Sequence, residues 1–294
     1  MIGPLVIGHR GASGHRPEHT SLAYRLAWRS GADSVEPDVV STRDGVLVCR
    51  HDLDLARTTD VADHPEFAAR RRRMLVDGRE QHGWFVQDFD LAEVRALRAR
   101  ERWATKRPTS ARYDGQVGVL TLEELLDLRV AESQRAGRQL GVHIELKHPA
   151  VFEALGMPLH EPLVDLLRRH RLTSPLSAAA VMSFDEPVLR KLRRQIDTEL
   201  VQLVDRDESV KRRRLQRIAT YASSVGLHKQ HACARPVAKA SGAGLDVLVW
   251  TLRNESRTDV GRLLDLGVDG VLTDFPEIAV AARAMRIASA PTAA

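Results

Sequence analysis

Three short groups of residues near the N-terminus could do chemistry together. His9-Arg10 closes the apolar run that starts at Val6, Glu36 and Asp38 stand two apart in SVEPDVV, and His51-Asp52 follows GVLVCR. Side chains alternate with period two along a strand, so Glu36 and Asp38 face the same way. Two carboxylates on one face repel each other, and a buried charge is costly unless it is paired or bound to metal. A hard divalent cation with oxygen ligands is the simplest occupant. Further on, Glu145 and Lys147 repeat the two-residue spacing at the end of Val142–Lys147 and add a third carboxylate. Three carboxylates without cysteine favour one calcium or magnesium ion over zinc.

The remaining polar residues suit an anionic substrate beside that ion. Arg10 and Lys147 would hold an anion, most simply a phosphate. His9 and His51 would flank it as general base and general acid. Cations would offset the charge that builds on a phosphorane-like transition state. Such a set suits phosphodiester cleavage. His228 and Trp250 are candidate substrate contacts, since each ends a strand-like run.

Each residue also has a plain structural reading. Arg10 could be an ion-pair partner of Glu36, and Glu145 could simply pair with Lys147. Trp250 could be pocket wall. Asp274 could only cap the last helix. His15, His19 and His64 read as surface or loop residues. Cys49 and Cys233, the only cysteines, fit neither a disulfide framework nor a zinc site.

The elements that must position these groups follow a simple rhythm. Apolar strand-like runs at Val6–His9, Ser34–Val40, Val142–Lys147, Ala178–Met182, Glu199–Val204, Ser224–Leu227, Asp246–Thr251 and Val268–Thr273 alternate with helical patterns. Asp44-Gly45 marks a hairpin turn, after which Val46–Arg50 returns with His51. Helices are expected over Thr20–Ser30, Leu91–Arg100, Thr121–Ala136, His160–His170, Ser183–Gln195, Asp207–Ser223, Ala232–Ser241, Glu255–Leu266 and Pro276–Arg286. Alternating βα units imply a parallel sheet, and eight of them in 294 residues imply an α/β TIM (β/α)8 barrel. An open doubly wound sheet is the alternative, but no Gly-rich dinucleotide fingerprint follows the first strand. Active sites of such barrels lie at the C-terminal strand ends, where these charges fall. Residues 53–118 break the rhythm and read as a small inserted subdomain after the second strand. Residues 1–286 form one domain in this reading, and 287–294 a frayed tail.

Bulk properties narrow the classes. The net charge of +5 could suit nucleic acid, lipid or a small anion. The runs Arg70–Arg73 and Lys211–Arg214 read as solvated helix faces. No apolar run is long enough for a membrane helix. As written, with no charged leader before the first strand, the chain is expected in the cytoplasm. A trimmed form of a secreted or periplasmic protein would read the same.

Together, HRGASGxxPEHT, ExD, HD, ELK, WT and TDFP resemble the glycerophosphodiester phosphodiesterases over nearly the whole chain. The excursion from TTDVADHPEF to WFVQDFDLAEVRAL resembles the inserted segment of the bacterial glycerophosphoryl diester subclass. The resemblance implies a TIM barrel that hydrolyses glycerophosphodiesters, such as glycerophosphocholine or glycerophosphoethanolamine, to sn-glycerol 3-phosphate and an alcohol. It implies metal ligands at Glu36, Asp38 and Glu145, catalytic histidines at His9 and His51, and phosphate contacts at Arg10 and Lys147. The metal would be calcium or magnesium. Two other classes compete. A lysophospholipase D or sphingomyelinase D-like enzyme would need an apolar membrane-docking surface, which 4% aromatic residues and no amphipathic membrane helix do not favour. A basic nucleic-acid module would leave the rim carboxylates unexplained. The expected partner is therefore a small glycerophosphodiester, with no nucleic acid and no stable membrane insertion; the oligomeric state is left open.

Overall fold

The computed structural model describes residues 3–289. Twelve strands are present among them: β1 Leu5–His9, β2 Ser34–Glu36, β3 Asp38–Ser41, β4 Leu47–Cys49, β5 Arg72–Val76, β6 Arg79–Gly83, β7 Gly141–Leu146, β8 Ala179–Ser183, β9 Glu199–Val204, β10 Ser224–His228, β11 Asp246–Leu252 and β12 Gly270–Thr273. The main sheet runs β2-β1-β12-β11-β10-β9-β8-β7-β3-β4, and a further β2–β7 pairing closes it. The barrel pairings are parallel, so the expected eight-stave (β/α)8 barrel is the fold, with β2 and β3 sharing one stave.

The expected second strand is interrupted at Pro37. Proline has no N–H to give to a ladder, so it sits where the two half-strands meet. Its carbonyl still accepts from Glu145 N at 2.8 Å, which keeps β7 in register across the break. The chain then turns at Gly45, whose φ is +83°, and returns as β4 antiparallel to β3.

Ile7, Ala180, Met182, Val201, Leu203, Leu248 and Leu272 fill the barrel interior as their own apolar cluster. The larger core lies between the staves and the outer helices. The helix Ser21–Arg29 shows how the two layers meet. Thr20 caps it by accepting from Ala23 N, and it buries Ala23, Tyr24, Ala27 and Trp28. The helix Leu122–Ala136 starts with a reciprocal capping box between Thr121 and Glu124 and ends at left-handed Gly137.

Several element expectations need correction. Only Leu91–Val94 of the expected 91–100 helix forms, because the backbone of Arg98 is taken by Asp60 and Gly118. The basic helix shrinks to Arg212–Ile218. Arg70–Arg73 is no helix face: Arg70 ends a 3-10 turn paired with Glu93, and Arg72 opens the β5–β6 hairpin paired with Asp88. The last helix continues to Ser289, and residues 290–294 lie outside the described residues.

The segment between β4 and Thr121 packs around its own aromatic residues. Phe85 and Phe89 are fully buried, and Phe67 meets Phe89 edge-on at 5.2 Å. It leaves and rejoins the barrel at one place. Cys49 N donates to Leu120 O at 2.8 Å, and Val48 bridges Thr121.

Candidate active site

Register alone brings the three carboxylates together. Asp38 of β3 lies opposite Glu145 of β7, and Glu36 of β2 lies opposite His9 of β1. One oxygen from each of Glu36, Asp38 and Glu145 lies within 4.8 Å of the others, and all three residues are buried. Glu36 Oε1 and Asp38 Oδ1 have no hydrogen-bond partner. Buried carboxylate oxygens left bare are costly, and a hard cation is the occupant whose chemistry matches three such groups. The residues therefore fit a divalent metal.

The electrostatics carry the same message. Burial, then Asp38 and Glu145, pushes the Glu36 carboxyl well above its usual range. Burial also lifts Glu145, against the pull of Lys147, to about 7. Asp38 goes the other way: despite burial, Arg10, His51, His19 and Lys147 hold it well below the usual carboxylate range. A site that strains to keep protons on two of three carboxyls lacks positive charge.

Arg10 sits in a turn that its neighbours enforce. Its φ is +58° and that of Gly11 is +83°; a Cβ on Gly11 would fall 2.5 Å from the Ala23 backbone. In this pose Arg10 N donates to Glu36 O at 2.8 Å and to Glu36 Oε2 at 3.0 Å. The guanidinium pairs with Glu18 at 3.0 Å and with Asp38 at 3.0 Å, so its carboxylate partners are these two and not Glu36. Lys147 Nζ donates to Glu145 Oε1 at 2.8 Å and stands 4.0 Å from Asp38.

Each histidine is held by an aspartate. His9 Nδ1 donates to Asp274 Oδ1 at 2.7 Å. Although burial works against it, the bonds to His9 and Arg107 keep the Asp274 carboxyl down at about 2, so it accepts and His9 keeps Nε2 for other work. His51 Nδ1 donates to Asp52 Oδ1 at 3.1 Å. Burial, followed by Arg10 and Lys147, lowers His51 to about 3; burial followed by Arg10 lowers His9. Both imidazoles are therefore neutral before an anion arrives.

His9, Arg10, His51, Glu145, Lys147, Trp250 and Arg253 line one cleft of about 280 Å³. It opens past Glu145, Lys147, Phe184 and Asp205 into a groove of about 630 Å³ whose walls include Asp77, Asp185 and Glu208. His228 is not among the cleft walls. It stacks edge-on behind Trp250 at 4.9 Å, while Trp250 donates from Nε1 to Gly226 O and meets Phe184 at 5.3 Å.

Sequence reasoning missed the part played by five residues. His19 is no surface residue: it is 4% exposed, with Nε2 donating to Asp38 Oδ2 at 3.0 Å and Nδ1 facing the Tyr24 hydroxyl at 2.8 Å. Asp274 holds His9 rather than merely starting a helix. Arg102 and Arg107, from the inserted segment, bind Asp52 and Asp274. Arg253 follows WT on β11 and stacks over Trp103 at 5.1 Å, with no carboxylate partner among the described residues. His15, by contrast, is a partly exposed partner of Glu277, and His64 pairs with Asp60 and Glu66.

Comparison with known proteins agrees with this geometry. The model of the Glycerophosphoryl diester phosphodiesterase family matches residues 9–278. A Bacillus subtilis glycerophosphodiester phosphodiesterase is 32% identical over 93% of this chain and 84% of its own. An Arabidopsis thaliana glycerophosphodiester phosphodiesterase is 36% identical over 57% of this chain, a match spanning only 44% of the plant protein. A crystal structure of a Silicibacter pomeroyi protein assigned to the same family superposes with a TM-score of 0.76 at 29% identity, covering 97% of this chain and 94% of that one. Strand-end carboxylates, paired imidazoles and whole-chain similarity converge: the chain belongs to the glycerophosphoryl diester phosphodiesterase family and is an enzyme of that family.

Proposed function

We propose that this chain hydrolyses glycerophosphodiesters to sn-glycerol 3-phosphate and an alcohol, in a metal-dependent reaction with His9 and His51 as general base and general acid. One observation carries the reading. Two aspartate-held imidazoles line a single cleft with Glu145, which is grouped with buried Glu36 and Asp38, each carrying an oxygen without a hydrogen-bond partner. The name of the Bacillus subtilis relative supports the substrate class.

Glu36, Asp38 and Glu145 would hold one divalent ion, calcium or magnesium, which when bound supplies a fixed positive charge beside the phosphoryl oxygens. Arg10 and Lys147 add charge on the same side, and Arg253 is the cleft cation left over for the substrate. Burial first, then Arg10 and Lys147, lower His51; an incoming anion offsets the two cations and so favours its protonated form. One histidine takes a proton at Nε2 from the attacking oxygen. The other gives a proton to the departing alkoxide. Residues 1–286 then act as one catalytic domain, with the segment of about 53–118 adding Asp77 to the wall of the outer groove.

The groove beyond Phe184 favours a cationic alcohol. Asp205 and Asp185 supply negative charge, and Phe184, which meets the cleft residue Trp250, supplies an aromatic face. That combination suits choline or ethanolamine. The decisive experiment is activity on a panel of glycerophosphodiesters, with EDTA and then calcium or magnesium restored. Loss with EDTA and recovery with metal are expected, and His9→Ala and His51→Ala should each lose about 100-fold or more in kcat. Full activity in either variant would overturn the reading.

A further inference from the structure

The inserted segment reaches the chemistry at two points. Arg102 and Arg107 lie five positions apart, on a turn in which Trp103 O accepts from both Lys106 N and Arg107 N at 2.8 Å. Glu101 braces the turn by accepting from Trp103 N at 3.0 Å and from Ser110 Oγ at 2.5 Å. Arg102 pairs with Asp52 and makes a two-pronged contact with Glu18 at 2.7 and 2.9 Å. Arg107 pairs with Asp274 and donates to Ser13 O at 2.8 Å. The side chains of both arginines are nearly buried, at 13% and 11% exposure.

Two chains of contact with the same order therefore exist: Arg102–Asp52–His51 and Arg107–Asp274–His9. The histidines and aspartates belong to the barrel and its strand ends; both arginines belong to the insertion. We propose that Arg102 and Arg107 are positioning residues, one for each imidazole, so that a single turn of the insertion sets the orientation of both. This rests on the reading of His9 and His51 as base and acid.

The physical reason is local. A carboxylate that faces only an imidazole can rotate, and the imidazole rotates with it. A guanidinium on the second oxygen fixes the carboxylate plane, and the plane fixes the ring and the nitrogen that carries the proton. Neither arginine touches the cleft floor, so neither is expected to bind substrate directly. Loss of either should appear in the turnover step, not in substrate affinity. The two losses should also differ. The imidazole that protonates the alkoxide matters less when the leaving group needs no proton, so its arginine should matter less too. The imidazole that activates the attacking oxygen is needed for every substrate.

The test compares Arg102→Ala, Arg107→Ala and the corresponding lysine variants on glycerophosphocholine and on glycerol p-nitrophenyl phosphate, whose leaving group departs as a stable anion. Each alanine variant should lose about 10- to 100-fold in kcat on glycerophosphocholine with KM little changed. Added guanidinium should restore part of that loss. One of the two should recover most of its rate on the nitrophenyl substrate, and the other should not. Should an alanine variant lose its fold, as read by its melting curve, the lysine variant is judged by the same criteria. Unchanged kcat in both, or equal losses on both substrates without guanidinium rescue, would overturn the inference. His9→Ala and His51→Ala run beside them. If those two keep activity, the general acid and base reading fails; if they lose it while the arginine variants do not, only this inference fails.

Discussion

His19 Nε2 donates to Asp38 Oδ2 at 3.0 Å and thereby turns the other oxygen of that carboxylate, Oδ1, bare toward Glu36 and Glu145. Burial holds the Tyr24 phenol protonated, so its hydroxyl donates to His19 Nδ1 at 2.8 Å and fixes the tautomer. The line Tyr24–His19–Asp38 would support Asp38 as the metal ligand proposed above, from residues outside the cleft. Replacing His19 by Ala should weaken calcium and magnesium binding by about 10- to 100-fold. Calorimetric titration of the metal-free protein measures this directly, and unaltered affinity would refute the support.

Proton and metal should compete for Glu145. Its carboxyl titrates at about 7 in the metal-free fold, against an ordinary 4.5. Below that pH it keeps its proton; above it an ionised carboxylate, paired with Lys147, faces Asp38. Metal affinity should therefore climb as pH rises through about 7 and level off beyond. The unfolded chain ionises this group first, so the metal-free protein loses stability as pH rises from about 4.5 through about 7. Metal at one fixed concentration, a hundredfold above its Kd at pH 7, should raise Tm by roughly 4–5 °C at that pH, by more at pH 8 and by less at pH 6. Differential scanning calorimetry at the three pH values checks both signs.

Arg253 is the cleft-lining cation without a carboxylate partner among the described residues. Burial holds its guanidinium pKa down, a state that an incoming anion relieves. Arg253→Ala should raise KM by about tenfold for any glycerophosphodiester, as expected for the loss of one charge-assisted hydrogen bond. Steady-state kinetics on two substrates with different alcohols would show equal effects.

Asp205 should behave differently. It lines both the cleft and the outer groove, beside Phe184. Asp205→Asn should raise KM for glycerophosphocholine and leave glycerophosphoglycerol nearly unchanged, because only the first alcohol carries a positive charge. Equal effects on both would remove the cationic groove from the account.

What the sequence made legible depended on range. Glu36, Asp38 and Glu145 could be grouped because period two and strand ends are local patterns, and register then supplied the meeting point. The barrel followed from alternation. His19 could not be read, because nothing near it in sequence shows that its ring turns inward to Asp38. Arg102 and Arg107 sit in an irregular stretch, and Arg107's partner Asp274 is 167 positions away. The expected 91–100 helix failed for a related reason: a long-range partner, Asp60, took the backbone of Arg98 before the helix could continue. Pro37 was legible as a residue but not as a break, since the two half-strands share one neighbour and keep one direction.

Both ends of the excursion after His51 are anchored to the same three-residue strand, β4, through Val48 and Cys49. The excursion is thus a cassette whose two ends meet at one strand, while its body rests on the barrel through Phe89 O, which accepts from Arg43 N, through Trp103 under Arg253, and through Arg102 and Arg107. A graft of a longer or shorter version would turn over poorly unless the incoming segment brought its own pair of guanidinium groups to Asp52 and Asp274. Diversification of this enzyme by swapping that cassette is consequently tied to those two side chains, together with the seat the segment offers to Arg43 and Arg253.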